Sequence, residues 1–423
     1  MTLDILISVL AVLVMANYRF RRSVLYPPFL FCGMWLLDGI IYRLDLIEIY
    51  PLHSKTLYVI AIGAILFTFG GYLAFLIPSK FVATHFTLVG QPRIEASWLR
   101  HLIVSSMAIC VCLAVRAAMQ SVGAAGGVDG FFFAAARTAA IEDLNAGRGS
   151  FSWYSYVGTW TIFAAALFQS ERNDRVSWII TAIAFVACLL SGGRTGLLSL
   201  FSAVTCIYLI RKRRENLAAA LRLARWPILG FVALFGGMIF VNKNVQVIGT
   251  SAFAFAEQAL VAYIVGPVAA LDHVIQHPLE YTGLPNHTFQ FFLRIGSSLG
   301  LVSYNPPPTL DAWIFVPFGT NVYTGYKFLI TDFGIGASLT IMGIIGFLHS
   351  LLFRKAHTSS VLGLYVFSLT MYSVLMVIFD DAYSRFGLYF NAFVFAVAYL
   401  TIKSFLWHIF RYKASYKPDA RFI

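Results

Sequence analysis

TLYVIAIGAILFTFGGYLAFLI, residues 56–77, runs for 22 residues without one charged side chain. A helix needs about 20 apolar residues to cross the hydrocarbon of a bilayer, so this stretch by itself predicts a membrane span. Working outward, similar runs broken by short polar punctuation lie near 3–18, 25–42, 99–120, 151–169, 176–191, 195–210, 226–241, 327–353, 360–379 and 386–409. Together they make about eleven transmembrane helices. Composition agrees, since 59% of the 423 residues are hydrophobic, 16% aromatic and only 12% charged, against about 25% charged in a soluble domain. Such a chain cannot cover a folded surface with polar groups. A water-soluble globule is excluded, and residues 1–423 read as a single all-α polytopic membrane domain.

The net charge of +12, from 31 Lys+Arg and 19 Asp+Glu, invites a nucleic-acid reading until the charges are placed along the chain. The first run has no basic n-region or small-residue cleavage site and is followed by Arg19, Arg21 and Arg22, which makes it an anchor with its short N-terminus outside. Alternation then puts 19–24, 78–100, 170–175, 211–225, 354–359 and 403–423 in the cytoplasm, with 21 basic and 5 acidic residues; 10 basic and 14 acidic residues remain elsewhere. That is the positive-inside distribution, with the N-terminus outside and the C-terminus in the cytoplasm, and it leaves no patch for nucleic acid. Residues 251–271 are apolar enough to span, interrupted only by Glu257, Gln258, Gly266 and Pro267. A crossing there would put Arg354, Lys355 and the basic tail outside, so the segment is expected to be an interfacial or re-entrant helix.

Two external loops are long, 121–150 and 242–325, and long loops in compact proteins are usually functional. Cys32, Cys110, Cys112, Cys188 and Cys206 all fall in apolar runs and are expected to be small buried hydrophobes without a disulfide framework. No GxxxxGK[ST], GxSxG, HExxH or CxxC pattern occurs, which disfavours an ATPase, a serine hydrolase and a zinc enzyme.

Candidate chemistry therefore rests on scattered polar residues at the outer face. Arg194 lies in SGGRTG, a very short turn between two spans; Arg137 and Arg148 lie on the first loop, Arg294 on the second, Arg385 on the DDAYSR turn and Arg116 inside a span. Arginine near a membrane is kept where an anion such as phosphate needs a permanent bidentate donor, or it simply snorkels or pairs with a carboxylate. Candidates for a general base include Asp332 in YKFLITDFGIGA, His287 in LPNHTF, and Glu280. Asp332 would be costly unpaired in an apolar span, so it is either functional or a structural partner for Lys327 or an external Arg. His287 is either catalytic or a plain polar contact.

The SGGRTG turn, an Arg-bearing first outer loop, a long second outer loop and the closing NVYTGYKFLITDFGIGA resemble the bacterial oligosaccharide repeat unit polymerases, the Wzy or O-antigen polymerase family. As topology the resemblance covers nearly the whole chain; as sequence it rests on those two short stretches. It implies a GT-C-like helical membrane fold in the bacterial inner membrane, without metal or other cofactor, that acts on undecaprenyl-pyrophosphate-linked oligosaccharide at the periplasmic face. Arg194 and Arg137 would match the family's arginines, with Arg294 a further pyrophosphate ligand. Asn321 and Tyr323 would contact sugar, and Asp332, His287 or Glu280 would be the base. A Wzz-type chain-length regulator and a Wzx-type flippase are implied as partners. The related O-antigen ligases commonly have His before the Asn of the last motif, where this chain has Thr320. A flippase or transporter is the rival from another class. It should show repeated halves and charges through many spans, whereas here only Asp38 and Arg116 lie deep.

Overall fold

The computed structural model describes residues 1–78, 153–171, 175–190, 194–222, 252–277, 285–304, 313–316, 318–358, 360–384 and 386–415, with scattered helical positions between 104 and 119. Among them the chain is mostly helical: α1 (Leu3–Arg21), α2 (Pro27–Arg43), α3 (Ser54–Leu76), α4 (Trp153–Glu171), α5 (Arg175–Leu190), α6 (Arg194–Arg211), α7 (Ala252–Gln276), α8 (Gln290–Ser298), α9 (Lys327–Ala356), α10 (Val361–Leu375) and α11 (Phe386–Ser415). A short antiparallel pair, β1 (Ile314–Phe315) and β2 (Gly319–Thr320), precedes α9. Of the described helices, α1, α3 and α9 are long and apolar enough to cross a membrane; shorter apolar stretches are Trp160–Ser170, Arg175–Cys188, Gly196–Arg211, Val261–Gln276, Val361–Leu375 and Tyr389–Ala398. The expected span at 226–241 and the first loop at 121–150 lie outside the described residues.

Local chemistry sets the helix limits. The Thr2 side chain accepts the Ile5 N–H to cap α1, with Asp4 in its first turn and Arg19 and Arg21 in its last, matching the helix dipole. Pro27 and Pro28 open α2, where a missing N–H costs nothing. Ser360 caps α10 through the Gly363 N–H.

One face of α3 is lined with small residues. On α3, Ile62, Ile65, Phe69, Leu73 and Leu76 are exposed, while Gly63, Ala64, Gly70, Gly71 and Ala74 are buried. Leu57, Val59, Ile60 and Phe67 are buried with them, so the helix sets large apolar groups outward and, where small residues line its inner face, packs closely on a partner. That partner is α9. A Cβ on Gly70 would run into the Gly343 carbonyl oxygen, and one on Gly346 would run into the Phe67 carbonyl oxygen. Tyr326 reaches Gly63, Ser350 reaches Gly71, and the Arg354 guanidinium donates to the Ala74 carbonyl. The two helices thus run parallel.

Polar contacts gather at the two ends of this pair. At one end Arg43 donates to Asp4 at 2.8 Å, and Asp272 near the end of α7 accepts from the His53 N–H and the Thr56 hydroxyl at the start of α3. At the other, Glu215 accepts from Ser23 at 2.6 Å and from His357 Nε2 at 2.9 Å, and its carbonyl accepts the Val24 N–H. Glu215 and His357 thus lie at the same end of the bundle. The α7 segment is helical over Ala252–Gln276, five residues past the expected limit of 271, and contains Pro267. Of the cysteines, Cys32, Cys188 and Cys206 are buried, but Cys112 is exposed, a correction to the reading that every apolar-run cysteine is a core residue. An apolar run in a bilayer has an outward side as well as an inward one.

The Glu215–His357 contact ties three connecting segments together and has a pH signature. Burial pulls the His357 imidazole down, but the hydrogen bond and charge of Glu215 outweigh it and hold His357 above its ordinary value. Burial pushes Glu215 up, but the bond and charge of His357, the Ser23 hydroxyl and the Arg21 charge outweigh it and hold the carboxyl below its ordinary range. A raised His stabilises fully below its unfolded value and loses that contribution as pH rises through its folded value. A lowered Glu loses its contribution as pH falls through its own folded value. The contact is therefore strongest between the two. The unfolding temperature of detergent-solubilised protein is expected to fall as pH rises through the His357 transition, and that slope should disappear in His357→Ala.

Candidate functional site

The Asp4 end of the bundle holds the polar cluster from which a site can be built. Asp332, 3% exposed on the first turns of α9, accepts the backbone N–H of Thr288 at 2.6 Å and that of His287 at 3.2 Å. Its other oxygen lies 3.0 Å from His287 Nδ1. The segment that carries His287 is thus bound to the helix by one carboxylate, which has a donor on each oxygen. Below the carboxylate Gly334 leaves helical geometry at φ 75 and ψ 171, a conformation open essentially to Gly alone, and it breaks α9. The hydroxyl of Ser338 donates to the Gly334 carbonyl at 2.6 Å.

Around this pair the sequence supplies aromatic and basic groups. The His287 ring stacks on Phe328, centroids 4.9 Å apart and 12° between planes. Lys327 lies with its Nζ 3.6 Å from the centre of the Tyr323 ring and 4.8 Å from that of Phe328. The start of α9 is itself fixed from another element, since Asp381 accepts the Phe328 N–H at 3.2 Å and the Val377 carbonyl accepts that of Gly325 at 2.8 Å. Tyr304 donates to the carbonyl of Asn286, the residue before His287, at 2.9 Å. Burial pushes the Tyr304 phenol up, the Arg294 charge on α8 opposes this, and Asp332 adds to it.

Of the residues singled out from sequence, Asp332, His287, Tyr323 and Arg294 come together here, and half-buried Asn321 is two positions before Tyr323. Arg194 opens α6, and Leu198, one turn later, packs with Ala382 beside Asp381, so this helix starts at the same end. Arg137 and Glu280 lie outside the described residues. Sequence reasoning missed Thr288, Phe328 and Tyr304. A Pro–Asn–His–Thr stretch facing an aspartate from a helix 45 positions away leaves no local signal. Among the described residues no group of three His, Cys, Asp or Glu side chains is placed to hold a metal ion.

Chemically the pair divides labour. With Nδ1–H donated to Asp332, a neutral His287 has its lone pair on Nε2, at the opposite edge of the ring, and a quarter of this side chain is exposed. A carboxylate that fixes tautomer and orientation while the far nitrogen accepts a proton is a general-base arrangement. Fold and site define a class, a helical protein of membrane-spanning character with a His–Asp pair at one end of its bundle. Set against protein-family models, curated proteins and solved structures, the chain matches none of them.

Proposed function

We propose that this chain is an inner-membrane glycosyltransferase of about eleven spans and GT-C-like architecture that polymerises undecaprenyl-pyrophosphate-linked oligosaccharide repeat units at the periplasmic face. The observation that carries the reading is the His287–Asp332 pair, seated beside aromatic rings and Arg294 at the end of the bundle where Arg194 begins its helix. In the reaction a hydroxyl of the acceptor sugar attacks the anomeric carbon of the donor. The new glycosidic bond forms as the bond to undecaprenyl pyrophosphate breaks, and the hydroxyl proton passes to His287 Nε2. Charge developing on the departing pyrophosphate is met by Arg194, Arg137 and Arg294, whose permanent bidentate donors suit it. Tyr323 and Asn321 orient sugar. The face bearing Asp4 and Arg43 is periplasmic and the one bearing Glu215 and His357 cytoplasmic, on the positive-inside argument. A Wzz-type chain-length regulator and a Wzx-type flippase would act with it.

The test is reconstitution of the purified protein in vesicles with a lipid-linked repeat unit. Polymer and free undecaprenyl pyrophosphate are expected in step, and Arg194→Ala should leave single units only. Release of no undecaprenyl pyrophosphate, with the lipid-linked unit merely moved between leaflets, would make the protein a carrier. Normal polymer from a well-expressed Arg194→Ala variant would remove the arginine from the mechanism.

A further inference from the structure

The helix that follows His287 is turned inside out. Along α8 and its flanks Phe289, Phe292, Ile295 and Leu299 are 37%, 48%, 40% and 67% exposed. Their spacing of three, three and four places them on one face. Arg294 is turned the other way, with its Nε buried and its charge acting on Tyr304. A surface helix in water has the opposite polarity, with charge outward and the apolar stripe against the core. The medium facing α8 is therefore hydrocarbon. The stripe is also continuous with a second apolar surface. Phe289 and Phe292 meet Phe386 at 5.9 and 5.5 Å, and Phe291 meets Phe390 at 5.1 Å. Beyond them Phe390 and Phe393 are 43% and 61% exposed on the outward flank of α11. At nine residues α8 is too short to span, and it is stopped cleanly. Gly300 at φ 71, with Leu301 N–H donated to the Gly296 carbonyl and Gly300 N–H to that of Ser297, makes a Schellman end.

We propose that α8 is immersed in the bilayer beside the His287–Asp332 pair, its Phe289, Phe292, Ile295 and Leu299 face packed on the hydrocarbon chains of membrane lipid. The occupant is bilayer lipid because the stripe runs without a polar break into the outward flank of α11, and because no charged side chain lies between Thr288 and Arg294 to meet an aqueous or protein partner. Placement in lipid stands on this geometry alone. Its consequence rests on the proposed function: the site opens sideways into the leaflet, so a substrate with a hydrocarbon tail reaches His287 without leaving the membrane. Arg294, on the inward side of the same helix, then marks the boundary between tail and charged headgroup.

The full chain in phosphatidylcholine vesicles tests this directly, with a fraction of the lipid carrying a photoactivated diazirine on its acyl chain and adducts mapped by mass spectrometry. Adducts are expected on Phe292, Ile295 and Leu299 as on Phe390 and Phe393, with loss of oxidation at those positions in a parallel hydroxyl-radical footprint. Oxidation of the α8 stripe, with adducts confined to the spans, would overturn the proposal. Lipid adducts on α8 in a protein that makes no polymer would overturn the proposed function and leave the placement of α8 standing; polymer synthesis with a water-exposed α8 would do the reverse.

Discussion

Gly346→Leu is expected to give no folded protein, the largest stability effect the bundle offers. A Cβ at this position would collide with the Phe67 carbonyl oxygen and stand 2.9 Å from both the carbonyl carbon and Cα of Phe67, before the rest of the leucine is placed. When an overpacked core can yield by rotating side chains, the cost is about 1–3 kcal/mol. Here the obstruction is backbone, so relief requires α3 and α9 to separate. Separation breaks the other close approaches together: Gly70 on the Gly343 carbonyl, Gly63 on Tyr326, and Gly71 on Ser350. The total should exceed about 3 kcal/mol, a large share of a stability of about 5–15 kcal/mol. The measurement is the yield and unfolding temperature of the monodisperse detergent-solubilised protein. Two controls separate helix contact from the mere loss of glycine. A Cβ on Gly33 meets nothing within 4 Å, and one on Gly343 meets Leu66 atoms at ordinary distances, the closest its carbonyl oxygen at 3.5 Å. Gly33→Ala and Gly343→Ala should therefore melt at or above the parent, because Ala gains roughly 0.5–1 kcal/mol over Gly within a helix. A Gly346→Leu protein with parental yield and melting would refute the close α3–α9 pair.

The same glycines show what sequence could and could not say. TLYVIAIGAILFTFGGYLAFLI announces a span through its length and lack of charge, and such a signal needs no partner to be read. Hence the described helices α1 to α6 and α9 to α11 fall on expected spans. Which of its faces meets lipid and which meets α9 is a relation between two segments far apart in the chain. Local patterning on an almost uniformly apolar helix does not carry it, and Cys112 was misplaced for the same reason. The site divides in a similar way. Asp332 stood out because a carboxylate in an apolar run demands an explanation. That its explanation is His287 and Thr288, rather than Lys327 or an arginine, follows from how 285–290 folds back on α9, which depends on the Gly334 break and on Asp381 capping the Phe328 N–H. The α8 helix was read as part of a loop because nine residues give too short a period to register.

Asp332→Asn and Asp332→Ala should both silence the reaction, yet by routes that a pair of measurements can separate. In Asp332→Ala three donors lose their acceptor at once, the backbone N–H groups of His287 and Thr288 and His287 Nδ1. Each stranded buried donor costs about 1–3 kcal/mol, so the segment should detach from α9 and the unfolding temperature should drop. Asn preserves the shape and one carbonyl oxygen, enough to hold the Thr288 N–H. Its amide, however, presents a donor where His287 Nδ1 was a donor too. The ring must then adopt the other tautomer, with Nδ1 accepting and the proton on Nε2, the edge that takes the sugar hydroxyl proton in the proposed reaction. A tautomer error of this kind costs about 10³–10⁴ in turnover in the best-understood His–Asp pair, the protease triad. Asp332→Asn is accordingly expected to lose about 10³-fold or more in kcat with KM and melting nearly unchanged. Asp332→Ala loses a similar factor and melts earlier. His287→Ala should match the Asn variant in turnover, and adding Asp332→Asn to it should cost little more, because the carboxylate acts through the ring. If the double variant is slower by the product of the two single effects, Asp332 acts independently of the ring and not through it.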